Sequence, residues 1–155
     1  MVELLIVIAI IAVAVALVSV ALPDGDAARL EEEGERLTAL LELARAEARV
    51  SGATVHWVPR ADGAAAGDST DTRGLPVHFR FVGLPAALAL PSRWLDERVS
   101  AQVEGARSLV LGPEAILPAQ RVVLRLAERR LVLLSDGLGP FAVADGSAAA
   151  PQAPR

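Results

Sequence analysis

Between Leu4 and Leu22 the chain runs for 19 residues without a charge, a glycine or a proline, and Ser19 is the one polar side chain among them. Wound as an α-helix at ~1.5 Å per residue, such a run spans about 28 Å, the thickness of a bilayer's hydrocarbon core. Its apolar residues fall on every face, whereas a helix lying on a soluble domain keeps a polar side. The segment therefore needs lipid or a packed set of other helices around it.

Glu3 stands at the mouth of this run. A carboxylate is costly to carry into hydrocarbon unless a cation meets it, so Glu3 either stays among the headgroups or finds a positive partner. Ala12 and Ala16, small residues four apart, let a neighbouring helix approach closely. Ser19-Val20-Ala21 loosely suits signal-peptide cleavage, but the basic start and short apolar core of a secretory signal are missing, so the run reads as retained. The arginines begin only at Arg29, too late to fix orientation by positive charge.

The stretch Met1-Val2-Glu3-Leu4-Leu5-Ile6-Val7-Ile8-Ala9-Ile10-Ile11 resembles the mature N-terminus of type IV pilins and type II secretion pseudopilins, in register if two residues precede Met1. The family's basic leader, glycine cleavage site and N-terminal phenylalanine are not among these residues. The resemblance implies that Glu3 pairs with the N-terminal amine of a neighbouring subunit during filament assembly. It also implies a single-pass protein of the inner membrane with its C-terminal domain in the periplasm.

Beyond the anchor, a chain of 155 residues has room for one domain of ordinary size. Aromatics make up 3% of it, so the expected core is aliphatic. With no cysteine, disulfides, thiolate metal sites and a cysteine nucleophile are excluded. All 15 basic residues are arginine, and the net charge of -4 weighs against nucleic acid or anionic lipid as partner.

Pro23-Asp24-Gly25-Asp26 breaks the apolar run, with Asp26 able to cap a second helix over about Ala27–Val50. Leu30, Leu37, Leu40, Leu41, Ala44 and Ala48 form its apolar stripe. Glu31, Glu32, Glu33, Glu35, Arg36, Glu42, Arg45, Glu47 and Arg49 are expected on the opposite, solvated face, with Glu32 and Arg36 as an i,i+4 pair. The cluster Glu31–Glu35 could alternatively meet a neighbouring subunit. Gly52 suits a left-handed cap.

Strands are expected at Ala53–Val58, Val77–Val82, Val99–Glu104, Leu109–Leu111, Arg121–Leu126 and Leu131–Ser135, with short ones near Ala87–Leu90 and Phe141–Val143. In Val77–Val82 strict alternation puts Val77, Phe79 and Phe81 on one face and His78, Arg80 and Val82 on the other. Ala127-Glu128-Arg129-Arg130 reads as the turn of an antiparallel hairpin. Residues 60–74 read as a mobile surface loop and residues 146–155 as a disordered tail.

These pieces make an α+β, pilin-like architecture. A hydrophobic helix (1–22) continues into an amphipathic one (23–52), which packs on an antiparallel β domain (53–145). Leu37–Ala48, Gly52, Val55-His56-Trp57 and Ser135-Asp136-Gly137-Leu138-Gly139-Pro140-Phe141 resemble the H-type minor pseudopilins of type II secretion. That resemblance implies a subunit of the periplasmic pseudopilus, whose partners are the major pseudopilin and the minor tip subunits, met through the N-terminal helix.

No chemistry of catalysis is legible. His56 and His78 sit on separate strands with no acid cluster at metal-ligand spacing, and nucleophile-elbow and phosphate-loop glycine patterns are missing. No enzyme and no cofactor are expected. A DNA-binding minor pilin is the alternative, for which Arg121, Arg125, Arg129 and Arg130 around one hairpin are the candidates. A tethered domain binding an envelope ligand through residues 60–74 is a third reading.

Overall fold

The computed structural model describes residues 7–8, 25–60, 70–71, 74–85 and 87–144. Glu3, Ala12, Ala16, most of loop 60–74 and the tail 146–155 lie outside them. Val7 and Ile8 are helical and exposed. Among the described residues no helix is long and apolar enough to cross a membrane.

Helix α1 spans Gly25–Ser51, a stretch dominated by the strong helix formers Ala, Leu, Glu and Arg. It stops where expected: Ser51 Oγ donates to the Glu47 carbonyl at 2.8 Å and Gly52 takes a φ of +69°. Its buried stripe is Leu30, Leu37, Leu41, Ala44 and Ala48, with Leu40 packed partly against the core. Each buried leucine contributes on the order of 2 kcal/mol. Gly34 lies in the same stripe, where a Cβ would come within 2.2 Å of the Leu131 side chain, so the helix rests directly on the sheet there.

Seven antiparallel strands are described: β1 (Val55–Pro59), β2 (Phe79–Val82), β3 (Ser100–Val103), β4 (Leu109–Leu111), β5 (Gln120–Leu126), β6 (Arg129–Ser135) and β7 (Ala142–Val143). They form two sheets, a three-stranded sheet β2-β1-β4 and a four-stranded sheet β3-β5-β6-β7. Helix α1 packs on both, most extensively on β6 and β5.

Three expectations are corrected. The β5–β6 hairpin pairs Leu126 with Arg129 and Arg125 with Arg130, so Arg129 and Arg130 belong to β6 and only Ala127 and Glu128 turn. Ala127 takes a φ of +50°, where glycine is usual. Residues 87–90 form no strand, since Pro85 and Pro91 flank a segment too short to pair. The core is not purely aliphatic: Trp57, Phe79, Trp94 and Phe141 are buried and Phe81 packs against them, which accounts for all five aromatics of the chain. The ring centroids of Phe79 and Trp94 lie 4.6 Å apart and those of Trp57 and Phe79 5.8 Å apart.

Candidate functional site

The fold separates the four hairpin arginines. Strand alternation sends Arg121, Arg125 and Arg130 to the outer face of the four-stranded sheet, while Arg129 shares the rung of Leu126 on the opposite face. Arg125 and Arg130 stand directly across from each other and are exposed. Like charges so placed repel unless an anion lies between them or water screens them. Arg121 is engaged by Glu104 at 3.4 Å.

Two charged residues that the helical pattern assigns to the solvated face are buried. Glu33 is 1% exposed and Arg45 4%. The Glu33 carboxylate accepts hydrogen bonds from the Leu95 N–H and, at 3.1 Å, from the Asp96 N–H. Its other oxygen meets Arg36 Nη1 at 3.2 Å, and the same Nη1 donates to the Arg93 carbonyl at 3.0 Å. Arg36 therefore takes Glu33 as its partner, where Glu32 was expected. One carboxylate thus fastens the connection between β2 and β3 to the first half of α1.

Arg45 does the same further along the helix. Its Nη1 donates to the Gly139 carbonyl at 2.8 Å and its Nη2 to the Gly137 carbonyl at 2.9 Å, fixing the connection between β6 and β7. Only Glu31, Glu32 and Glu35 of the acidic cluster remain exposed. Sequence reasoning missed both fastenings because side-chain period reports a face of the helix and not the loops that return over it. The faint signal was position: Glu33 and Arg45 flank the Leu30–Leu37–Leu41–Ala48 stripe.

Beside Glu33 a groove of about 500 Å³ opens between the first turns of α1 and residues 95–98. Arg98 bridges its rim, contacting Asp96 at 2.7 Å and Asp26 at 3.1 Å. The hydrogen bond from the Arg98 side chain, then that from its backbone N–H, hold the Asp96 carboxyl down at about 2. Gly25 follows Leu22 by three positions, so this is the end of the domain nearest the apolar run. A groove lined by both charge signs suits a protein contact better than an apolar small molecule.

His78, expected on the outward face of its strand, is buried, because β2 begins only at Phe79. Its Nδ1 accepts a hydrogen bond from the Trp94 N–H at 3.0 Å. Burial first, and then the Arg60 guanidinium, push its pKa below the ordinary imidazole value. As pH falls through about 6.5 the unfolded chain takes up a proton that the folded chain refuses, so stability drops with acidification and is level above that range. A series of urea melts from neutral to mildly acidic pH checks this. His78→Asn, which keeps an acceptor and loses the titration, is expected to flatten the slope, and an unchanged slope in that variant would assign it elsewhere.

No family model and no curated protein sequence matches the chain. Among solved structures it is similar to the type IV minor pilin FimU of Pseudomonas aeruginosa strain PAO1, at a TM-score of 0.51 and 15% identity, over 84% of this chain and 98% of that one. A second crystal form of FimU aligns at a TM-score of 0.46 and 16% identity, over 79% and 98%. With one long helix laid across antiparallel sheets, the chain has the α+β fold of a minor pilin.

Proposed function

We propose that the chain is a minor pseudopilin of type II secretion, a non-catalytic subunit that leaves the inner membrane to join a periplasmic pseudopilus beside the major pseudopilin and the minor tip subunits. The observation that carries this reading is the attachment of a minor-pilin fold to a charge-free run of 19 residues with one acid, Glu3, at its outer end. Burial of that run against lipid or against equivalent helices stabilises both the stored and the assembled states, so a modest bias moves a subunit between them. The Glu3 carboxylate supplies such a bias by pairing with a neighbour's N-terminal amine.

Glu3→Ala is expected to insert in the membrane normally yet lose incorporation into the filament and export of cargo. Fractionation and pull-down with the other pseudopilins measure the two steps separately. Normal assembly by the variant would remove the charge pairing from the mechanism.

The second reading is a minor pilin that binds DNA. It draws on the exposed Arg125–Arg130 pair on one sheet face, and it is weakened by the engagement of Arg121, the opposite placement of Arg129 and the acidic net charge. Phosphate contacts make binding fall steeply with salt, so a gel shift at low salt that fades as salt rises would favour it.

A further inference from the structure

Two exposed aliphatic residues stand on neighbouring loops at one end of the four-stranded sheet. Ile116, between β4 and β5, is 72% exposed, and Leu138, between β6 and β7, is 65% exposed. Their loops are joined by the Leu117 N–H, which donates to the Gly137 carbonyl at 3.1 Å. The Leu138 turn is held from every side. Arg45 grips the Gly137 and Gly139 carbonyls, Asp136 Oδ1 accepts from the Leu138 and Gly139 N–H groups at 2.9 and 2.8 Å, and Ser135 Oγ accepts from the Gly137 N–H at 3.1 Å. A turn already ordered loses little freedom on binding, yet its large apolar side chain is left in water.

Acids flank this knob. Glu114 and Asp136 are exposed, and the Gly139 and Leu138 N–H groups hold the Asp136 carboxyl below its usual range, so it stays charged. The outer face of the same sheet has the complementary character. Val132 and Leu134 are half-buried there, and Arg125 and Arg130 stand exposed at one end of that aliphatic strip.

We infer that the Ile116–Leu138 knob seats on the Val132–Leu134 strip of a second copy of this chain, with Glu114 and Asp136 brought against Arg125 and Arg130. Knob and strip are different surfaces, so the contact between the two copies is heterologous. The inference rests on the assembly reading, but its test uses neither export nor filament incorporation.

The chain has no cysteine, so introduced pairs report contact directly within disulfide reach. Full-length Leu138→Cys and Val132→Cys chains, mixed in detergent micelles and oxidised, are expected to give a linked dimer severalfold above either variant alone. The same excess is expected over Leu138→Cys mixed with Leu95→Cys, a residue 63% exposed and on neither surface. Arg130→Glu in the Val132→Cys chain should lower the yield, and Glu114→Arg in its partner should restore it. Equal yields in the Leu95→Cys control, self-linking of Leu138→Cys, or linkage only to another protein would overturn the inference. A cross-link that forms while the unaltered chain fails to pull down the other pseudopilins would keep this contact and discard the assembly reading, whereas the reverse pattern would discard the contact alone.

Discussion

Glu33→Ala is expected to lower the stability of the domain by about 3–5 kcal/mol, the range for removing one partner of a buried, hydrogen-bonded charge. The substitution strips the Leu95 and Asp96 N–H groups of their acceptor and leaves Arg36 without its counter-ion. Arg36 keeps about a quarter of its side chain in water, which softens its loss and places the expectation toward the lower end. Glu33→Gln retains an acceptor for the two N–H groups but turns its amide toward Arg36, so about 1–2 kcal/mol is expected from it. Urea unfolding followed by tryptophan emission measures both, because Trp94 adjoins the released segment. A cost near zero for Glu33→Ala would mean that water replaces the carboxylate and that the remaining contacts of His78, Ser92, Arg36 and Arg98 suffice to hold the β2–β3 connection.

Gly137→Ala is expected to be as severe. Gly137 has a φ of +89°, and a Cβ there would stand 1.8 Å from the Leu117 carbonyl oxygen and 2.7 Å from its carbon. These are backbone atoms and cannot swing aside. The left-handed conformation costs a non-glycine residue roughly 1–2 kcal/mol, and forcing the two loops apart adds about 1–3 kcal/mol of overpacking. Displacement would also pull the Gly137 carbonyl away from Arg45 Nη2 and the Leu117 N–H. Gly139→Ala is the control, since the nearest atom to a Cβ at that position is Asp136 Oδ1 at 3.6 Å. Thermal unfolding of the two variants side by side should show a large drop for the first and little change for the second. Comparable drops would point to a general intolerance of the turn and away from the collision with Leu117.

The parts of the fold that were legible are those where period and burial agree. Leu30, Leu37, Leu41, Ala44 and Ala48 face one core and repeat as a helix repeats, and the hairpin of β5 and β6 alternates and pairs as a hairpin must. The segment from Leu84 to Arg98 has no period to read, because its backbone is satisfied by scattered groups: the Ser92 carbonyl by His78 and Phe79, the Trp94 N–H by an imidazole, the Leu95 and Asp96 N–H groups by a glutamate. Long-range polar contacts of this kind leave no spacing in a single sequence. The same blindness hid Glu33 and Arg45, whose charge argued for water. Of the candidate site residues, Glu3, Ala12 and Ala16 fall outside the described residues. The arginines were legible as a group by their closeness in sequence, but not the split between sheet faces, which a two-residue turn decides.

Glu33 and Arg45 lie twelve positions apart on one helix, about 18 Å along its axis, the first tied to the connection that joins the two sheets and the second to a connection within the four-stranded one. Tension applied at Gly25 along that axis would therefore run through ties arranged in series down a rod, loading them in shear and not peeling one strand from another. Of these two, Glu33 is nearer the pulling end and carries the force before Arg45, which stands behind it as the reserve. A domain tugged from its helical end would yield at the β2–β3 connection while the β5–β6 hairpin still held.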